Sequence, residues 1–160
     1  MNSLNLVNEI LRQVVLEVCS QLAFLMGEVV EPDAVACPGG EFVQGSIAFS
    51  GPKQGRLQAM MPIETASLLA YSILGIDESE PLEPGAAEDA VREVLNTICG
   101  RMITELYGES EVFNLTVPET CAVAPDAWDA MRTAPDVLVC SLEEAPLLLA
   151  FIVDEEETAS

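Results

Sequence analysis

The chain has 160 residues, enough for one domain with a substantial hydrophobic core and too few for two domains of ordinary size. Its 27 acidic residues outnumber its 6 basic ones, so the formal charge is −21, and it contains no histidine. This charge repels phosphate backbones and anionic lipid surfaces, which argues against nucleic-acid and membrane binding and favours a partner that presents a cation. The lack of histidine excludes Ser-His-Asp and Cys-His catalysis and histidine-containing zinc sites.

The cysteines and the N-terminus predict a cytoplasmic protein. Five cysteines are present without a CxxC pair, and the first residues show neither the basic region nor the cleavage site of a secretory signal. We therefore expect reduced, mostly buried thiols. The longest apolar run, Leu147–Val153, is far shorter than the ~20 residues that a membrane-spanning helix needs.

The first half of the chain predicts a long helix, a β-hairpin and a short helix. Apolar residues first recur at helical spacing and then alternate in two runs around a turn rich in glycine. A glycine follows each helical segment, where helices commonly end. The predicted elements are a helix from Leu4 to Met26 ended by Gly27, strands from Phe42 to Phe49 and from Arg56 to Met61, and a helix from Ile63 to Leu74 that follows Pro62 and ends at Gly75.

The second half repeats this order. Its predicted elements are a helix from about Ala87 to Tyr107 ended by Gly108, a strand over 112–117 broken by Pro118, and strands over 137–142 and 147–153. We predict a single domain, residues 1–153, with an internal duplication of a helix-plus-hairpin unit, over about 4–75 and about 87–153. Residues 154–160 are predicted to form an acidic tail. The expected fold class is α+β, a two-layer domain of helices packed on an antiparallel sheet.

Two further segments carry expectations about packing. Trp128 lies between Pro125 and Pro135, which predicts an anchored loop rather than a ligand platform. The apolar and uncharged segment Leu147–Val153 is a candidate edge strand, and such an edge is an aggregation hazard if it is left bare.

The helix from Glu88 to Tyr107 carries the most informative pattern. One face is apolar, and it contains Val91, Leu95, Ile98, Met102 and Leu106. The opposite side holds four residues within about 60° of arc, since successive residues are ~100° apart: Asp89, Glu93, Asn96 and Gly100. A solvated face would explain three of them, but a glycine in an exposed helix costs about 1 kcal/mol relative to alanine. Gly100 therefore favours a face that another backbone approaches closely.

The pattern Asp89-x3-Glu93-x2-Asn96, with 21 residues between Asn96 and Pro118, resembles the signature of the CheC/CheX/FliY family of chemotaxis phosphatases. The spacing Asn96-x3-Gly100 and the order of elements in the first repeat are similar to that family too. The resemblance is closest to CheX. It implies an enzyme that hydrolyses the aspartyl phosphate of a CheY-type response regulator. An alternative stays open: a non-catalytic docking module that binds a regulator or a flagellar-switch component.

The resemblance also implies a role for each residue of the pattern. Asn96 would orient the attacking water, and Glu93 would pair with the conserved lysine of the regulator. The regulator would hold a divalent cation such as magnesium, so no cofactor or metal site of the chain's own is implied. Asp89 would cap the helix or interact with its dipole, and Pro118 would end a strand near the site.

The first helix lacks an equivalent pair. Its nearest candidates are Glu17 and Ser20, and a serine side chain is too short to replace that of asparagine. We therefore predict one active site per chain, which resembles CheX more than CheC. The resemblance further implies a homodimer.

Overall fold

The computed structural model of the protein describes residues 3–35 and 40–154, so Cys37 and nearly all of the predicted acidic tail lie outside the described residues. In this part of the chain, four α-helices pack on a seven-stranded antiparallel sheet, which confirms the predicted α+β class. None of these helices is long and apolar enough to cross a membrane. The elements in chain order are α1 (Ser3–Ala23), β1 (Gly27–Val29), β2 (Phe42–Ser50), β3 (Gly55–Pro62), α2 (Ile63–Leu74), α3 (Ala86–Tyr107), β4 (Asn114–Leu115), β5 (Glu119–Val123), α4 (Pro125–Arg132), β6 (Leu138–Leu142) and β7 (Ala145–Val153).

The strands follow the order β1-β6-β7-β3-β2, and the outer side of β2 pairs with both β4 and β5. Strand β7 pairs with β3 on one side and with β6 on the other, so that Phe151 faces Leu57 and Leu148 faces Val139. The prediction that 147–153 forms an edge strand is therefore wrong. A continuous apolar run is typical of a strand that is covered on both faces, and this strand lies in the middle of the sheet.

Helices α1, α2 and α3 cover one face of the sheet and enclose the main core. Gly45 of β2 lets α3 lie close to the sheet, because a Cβ at this position would be 2.5 Å from Leu95 Cδ1 and 2.9 Å from Val91 Cγ1. The absence of this one side chain therefore helps to set the distance between α3 and β2. It thereby helps to set the position of the outward face of the helix.

The opposite face of the sheet is partly covered by α4. Trp128 is fully buried there and stacks on Phe42, with 5.2 Å between the ring centroids. The prediction of a loop around Trp128 is wrong, since the segment forms a helix of eight residues with Pro125 in its first turn. Met60 belongs to this smaller core, whereas the adjacent Met61 belongs to the main one.

Two further predictions about element ends are wrong. Helix α1 ends at Ala23, because Phe24 turns the chain with φ 56° and its N–H donates to the Ser20 carbonyl. Gly27 therefore opens β1 instead of ending the helix. The strand predicted over 112–117 is limited to the two residues of β4, and β5 follows it after a short interruption.

Candidate functional site

Helix α3 presents the predicted pair of polar residues on its outer side. The apolar face is buried as predicted, and Val91, Leu95 and Ile98 are each at most 1% exposed. Glu93 and Asn96 are exposed on the other side. Residues three apart on a helix are neighbours, so the carboxylate and the amide project side by side. Helix packing against the sheet thus fixes the backbone positions from which this pair projects.

Both polar groups of the pair are free to bind a partner. Among the residues that the structure describes, none forms a hydrogen bond or an ion pair with the Glu93 carboxylate or the Asn96 amide. Thr97 donates its hydroxyl to the backbone carbonyl of Glu93 at 2.9 Å, which leaves the carboxylate unoccupied. Unpaired polar groups on a rigid helix are suited to contacts with another molecule.

Asp89 does not cap α3, so of its two expected functions only the interaction with the helix dipole fits the structure. The N-terminus of α3 is at Gly85, and no side chain caps it. The carboxylate of Asp89 instead accepts a hydrogen bond from Arg92 at 2.5 Å, although its place in the first turn remains favourable for the helix dipole. Arg92 also donates to Thr120 Oγ1 at 3.2 Å, so it links α3 to β5.

A β-bulge lies between β4 and β5. Both strands pair with β2, and Leu115 faces Phe49 while Glu119 faces Ser46. Between these pairs, residues 116–118 lie opposite only two residues of β2, 47 and 48. The one extra residue on the β4–β5 side defines a bulge. Pro118 has no N–H to donate, so it fits an edge position where the ladder is interrupted.

The bulge and the outer face of α3 meet at one shallow cavity of about 320 Å³. Its lining contains four of the five predicted site residues: Asp89, Glu93, Asn96 and Pro118. Gly100 is outside this lining, one turn beyond Asn96, and a Cβ there would meet nothing within 4 Å. A larger cavity of about 550 Å³ lies beside α4 on the other face of the sheet and contains none of these residues.

The candidate acid on α1 is already paired, unlike Glu93. The Glu17 carboxylate pairs with the Arg101 guanidinium, which also donates to Gln21 Oε1 at 3.3 Å. A lysine of a partner would have to compete with Arg101 for this carboxylate. This ion pair supports the prediction of one active site per chain.

None of the four cysteines that the structure describes lines the cavity. Burial raises the pKa of Cys19, Cys99 and Cys140 to about 12, so these thiols stay protonated and unreactive in the core. Cys121 is exposed on β5 but does not line the cavity. Within residues 3–35 and 40–154, no group of three or more Cys, Asp or Glu side chains is arranged to hold a metal ion.

The sequence matches the family described as "Chemotaxis phosphatase CheX" over residues 43–136, which is more than half of the chain. This segment includes the helix, the bulge and all five predicted site residues. None of the curated proteins matches the chain in sequence.

Several solved structures share the fold. CheX from Vibrio vulnificus has a TM-score of 0.68 and 15% identity, over 96% of this chain and 100% of that one. The CheX–CheY–BeF3–Mg²⁺ complex from Borrelia burgdorferi has a TM-score of 0.60 and 19% identity, over 92% and 97%. The FliM middle domain from Vibrio alginolyticus has a TM-score of 0.53 and 14% identity, over 96% and 93%. At these identities the likeness shows the fold alone.

Proposed function

Because this chain belongs to the CheX family of chemotaxis phosphatases, we propose that it hydrolyses the aspartyl phosphate of a CheY-type response regulator. The observation that carries the proposal is the unpaired carboxylate and amide of Glu93 and Asn96, which project together at one cavity. The CheX from Borrelia burgdorferi was solved as a complex with CheY, BeF3 and Mg²⁺, which supports a regulator of this kind as the substrate.

Asn96 is proposed to position the attacking water. A carboxamide both donates and accepts hydrogen bonds, so it can hold a water with its lone pair directed at phosphorus. The water oxygen forms a bond to phosphorus as the bond from phosphorus to the aspartyl oxygen breaks, and the products are inorganic phosphate and an aspartate carboxylate. Phosphoryl transfer depends on positioning and charge stabilisation, so it requires no nucleophile from this chain.

Glu93 is proposed to bind the conserved lysine of the regulator and so to fix the docking geometry. An ammonium–carboxylate contact is a charge-assisted hydrogen bond, which is stronger than a neutral one. The divalent cation, magnesium for example, would be held by the regulator and would neutralise the phosphoryl oxygens. The chain described here would then supply the orientation of two groups, and the partner would supply most of the active site.

The remaining site residues are proposed to support this arrangement. Arg92 and Asp89 hold α3 against β5, and Pro118 shapes the bulge that borders the cavity. Gly100 would let the regulator's backbone approach the helix. A homodimer in the cytoplasm is also part of the proposal, but its contact would use a surface other than the edge of β7, since both edges of that strand are paired.

The Asn96→Ala variant tests the catalytic role. We expect it to lower the stimulated rate of dephosphorylation about 100-fold, the typical effect of removing one preorganised polar group from a transition state. The measurement is phosphate release from a phosphorylated CheY-type regulator, with and without the protein. Asn114→Ala is the matched control, because Asn114 is an exposed asparagine on β4 that does not line the cavity. Equal rates for wild type and Asn96→Ala, with both folded, would contradict the proposal.

A docking module without catalysis is the second candidate. The similarity to the FliM middle domain favours it, because the same fold serves more than one function. This candidate predicts that the chain binds the regulator and leaves its dephosphorylation rate unchanged, both as wild type and as Asn96→Ala. The same assay therefore separates the two candidates.

A further inference from the structure

The bulge exposes apolar surface directly beside the proposed catalytic pair. The side chain of Val117 is 81% exposed and that of Leu115 is 38% exposed. Together with Pro118 they form the β4–β5 side of the cavity whose other side is Glu93 and Asn96. Exposed apolar surface is unfavourable in water, and the described part of the chain leaves most of Val117 and more than a third of Leu115 uncovered.

This surface is held in place by the sheet. The N–H of Thr116 donates to the Ala48 carbonyl at 2.9 Å, and the Ala48 N–H donates to Thr116 Oγ1 at 3.0 Å. Strand β5 resumes its pairing at Glu119, two residues after Val117. Val117 is therefore anchored on both sides and points away from the core. A segment whose backbone is already held by the sheet loses little backbone entropy when a partner covers it.

A regulator that binds at Glu93 and Asn96 needs more contact surface around the cavity than these two side chains provide. Two side chains cannot by themselves form a specific interface, since each partner in a typical complex buries about 800 Å². The centre of an interface is apolar and its rim is polar. A regulator whose phosphorylated aspartate lies against Asn96 must also cover the groups that line the same cavity, and these include Leu115 and Val117.

We propose that Leu115 and Val117 form an apolar docking surface for the receiver domain of the phosphorylated regulator. The proposal rests on the proposed function and adds the surface by which the substrate is bound. Glu93 and Asn96 take part in the chemistry. The apolar surface of the bulge supplies binding energy, and its contact with the regulator excludes bulk water around the pair. Val117 is then a determinant of affinity and not a catalytic residue.

The test compares Val117→Ser with Val112→Ser. Val112 is a matched control, because it is 79% exposed and does not line the cavity. We expect Val117→Ser to raise KM for the phosphorylated regulator about tenfold and to leave kcat within about twofold, as for loss of a contact made equally in ground and transition states. Affinity for a beryllofluoride-activated CheY-type receiver domain should fall by the same factor. Val112→Ser should match wild type in both assays.

The other outcomes separate a failure of the docking surface from a failure of the proposed function. Equal effects of Val117→Ser and Val112→Ser on KM and affinity would overturn the proposal. It would also be overturned if Val117→Ser changed neither quantity while its thermal stability was that of wild type. A change in oligomeric state by light scattering, with receiver affinity intact, would show that a second copy of the chain covers the bulge instead. Binding of the activated receiver without faster dephosphorylation would contradict the phosphatase function alone; the docking surface is then supported if Val117→Ser weakens that binding about tenfold and overturned if it does not. No binding by wild type would overturn both.

Discussion

The lack of a side chain has different explanations at Gly45 and Gly100. A Cβ at Gly45 would overlap Leu95 and Val91, so this glycine serves the packing of α3 on β2. A Cβ at Gly100 would meet nothing within 4 Å, so no contact within the described residues explains the absence of a side chain there. Gly100 destabilises its own helix, and the compensation must come from something outside it, in our proposal the approach of the regulator.

The Gly100→Ala variant should therefore be more stable and less active. Alanine in place of an interior helix glycine raises the free energy of unfolding by about 0.5–1 kcal/mol. The added methyl group should lower kcat/KM for the phosphorylated regulator if the partner's backbone packs there. Urea unfolding and the dephosphorylation assay measure the two effects. Glu105→Ala, an exposed substitution elsewhere on α3, should leave activity unchanged, and undiminished activity of Gly100→Ala would contradict a close approach.

The positions of the site residues were predictable, but the contact that links α3 to the sheet was not. Helical spacing alone places Asp89, Glu93 and Asn96 on one face of α3. The partner of Arg92 on β5 is 28 residues away in sequence, and only the tertiary fold brings it near. The pairing of Arg92 with Asp89 could have been inferred from their i, i+3 spacing, a signal of helical ion pairs.

At the scale of elements, strong local signals led to correct predictions and weak ones did not. Helix α2 has the predicted bounds, because its apolar pattern, Pro62 and Gly75 agree. Strand β1 has three residues, too few to show an alternating pattern, and it exists only through pairing with β6. Helix α4 was missed although Pro125 at its start and Arg132 in its last turn are recognised helix signals.

The turn between β6 and β7 is a strained element. Leu142 pairs with Ala145, so the turn has two central residues, Glu143 and Glu144, with φ of 48° and 77°. Two-residue hairpins that need positive φ at both positions strongly prefer Asn-Gly, since a side chain with a Cβ is disfavoured there. The two adjacent carboxylates also repel each other.

Replacing this turn by Asn-Gly should stabilise the protein. For Glu143→Asn/Glu144→Gly we expect the free energy of unfolding to rise by about 1 kcal/mol or more, because the left-handed conformation costs roughly 1–2 kcal/mol per residue with an ordinary side chain. Urea unfolding measures the change. Glu143→Ala/Glu144→Ala removes the same two charges but keeps a Cβ at both left-handed positions, so its gain should be much smaller. An equal gain from both variants would assign the effect to charge and not to backbone conformation.

At the scale of the whole molecule, the two halves of the chain are interlocked. The hairpins β2–β3 and β6–β7 meet antiparallel at the centre of the sheet through β3 and β7. The strand after α1 pairs with the second hairpin, and the strands after α3 pair with the first. This exchange supports the predicted duplication, which stays a prediction. It also explains why neither half could complete its sheet alone.

The charge of −21 acts on the molecule as a whole, since 6 basic residues can pair with few of the 27 acidic ones. Mutual repulsion destabilises a compact state, and salt screens it with a Debye length of about 10 Å at 0.1 M and about 3 Å at 1 M. We therefore expect the free energy of unfolding to rise by about 1 kcal/mol or more between 0.01 and 0.5 M NaCl, measured by urea unfolding. Glu109→Lys/Glu111→Lys changes two exposed positions and reduces the net negative charge by four units, so its salt dependence should be weaker. A fall in stability with salt would show instead that attractive ion pairs, such as that of Arg92 with Asp89, outweigh the repulsion.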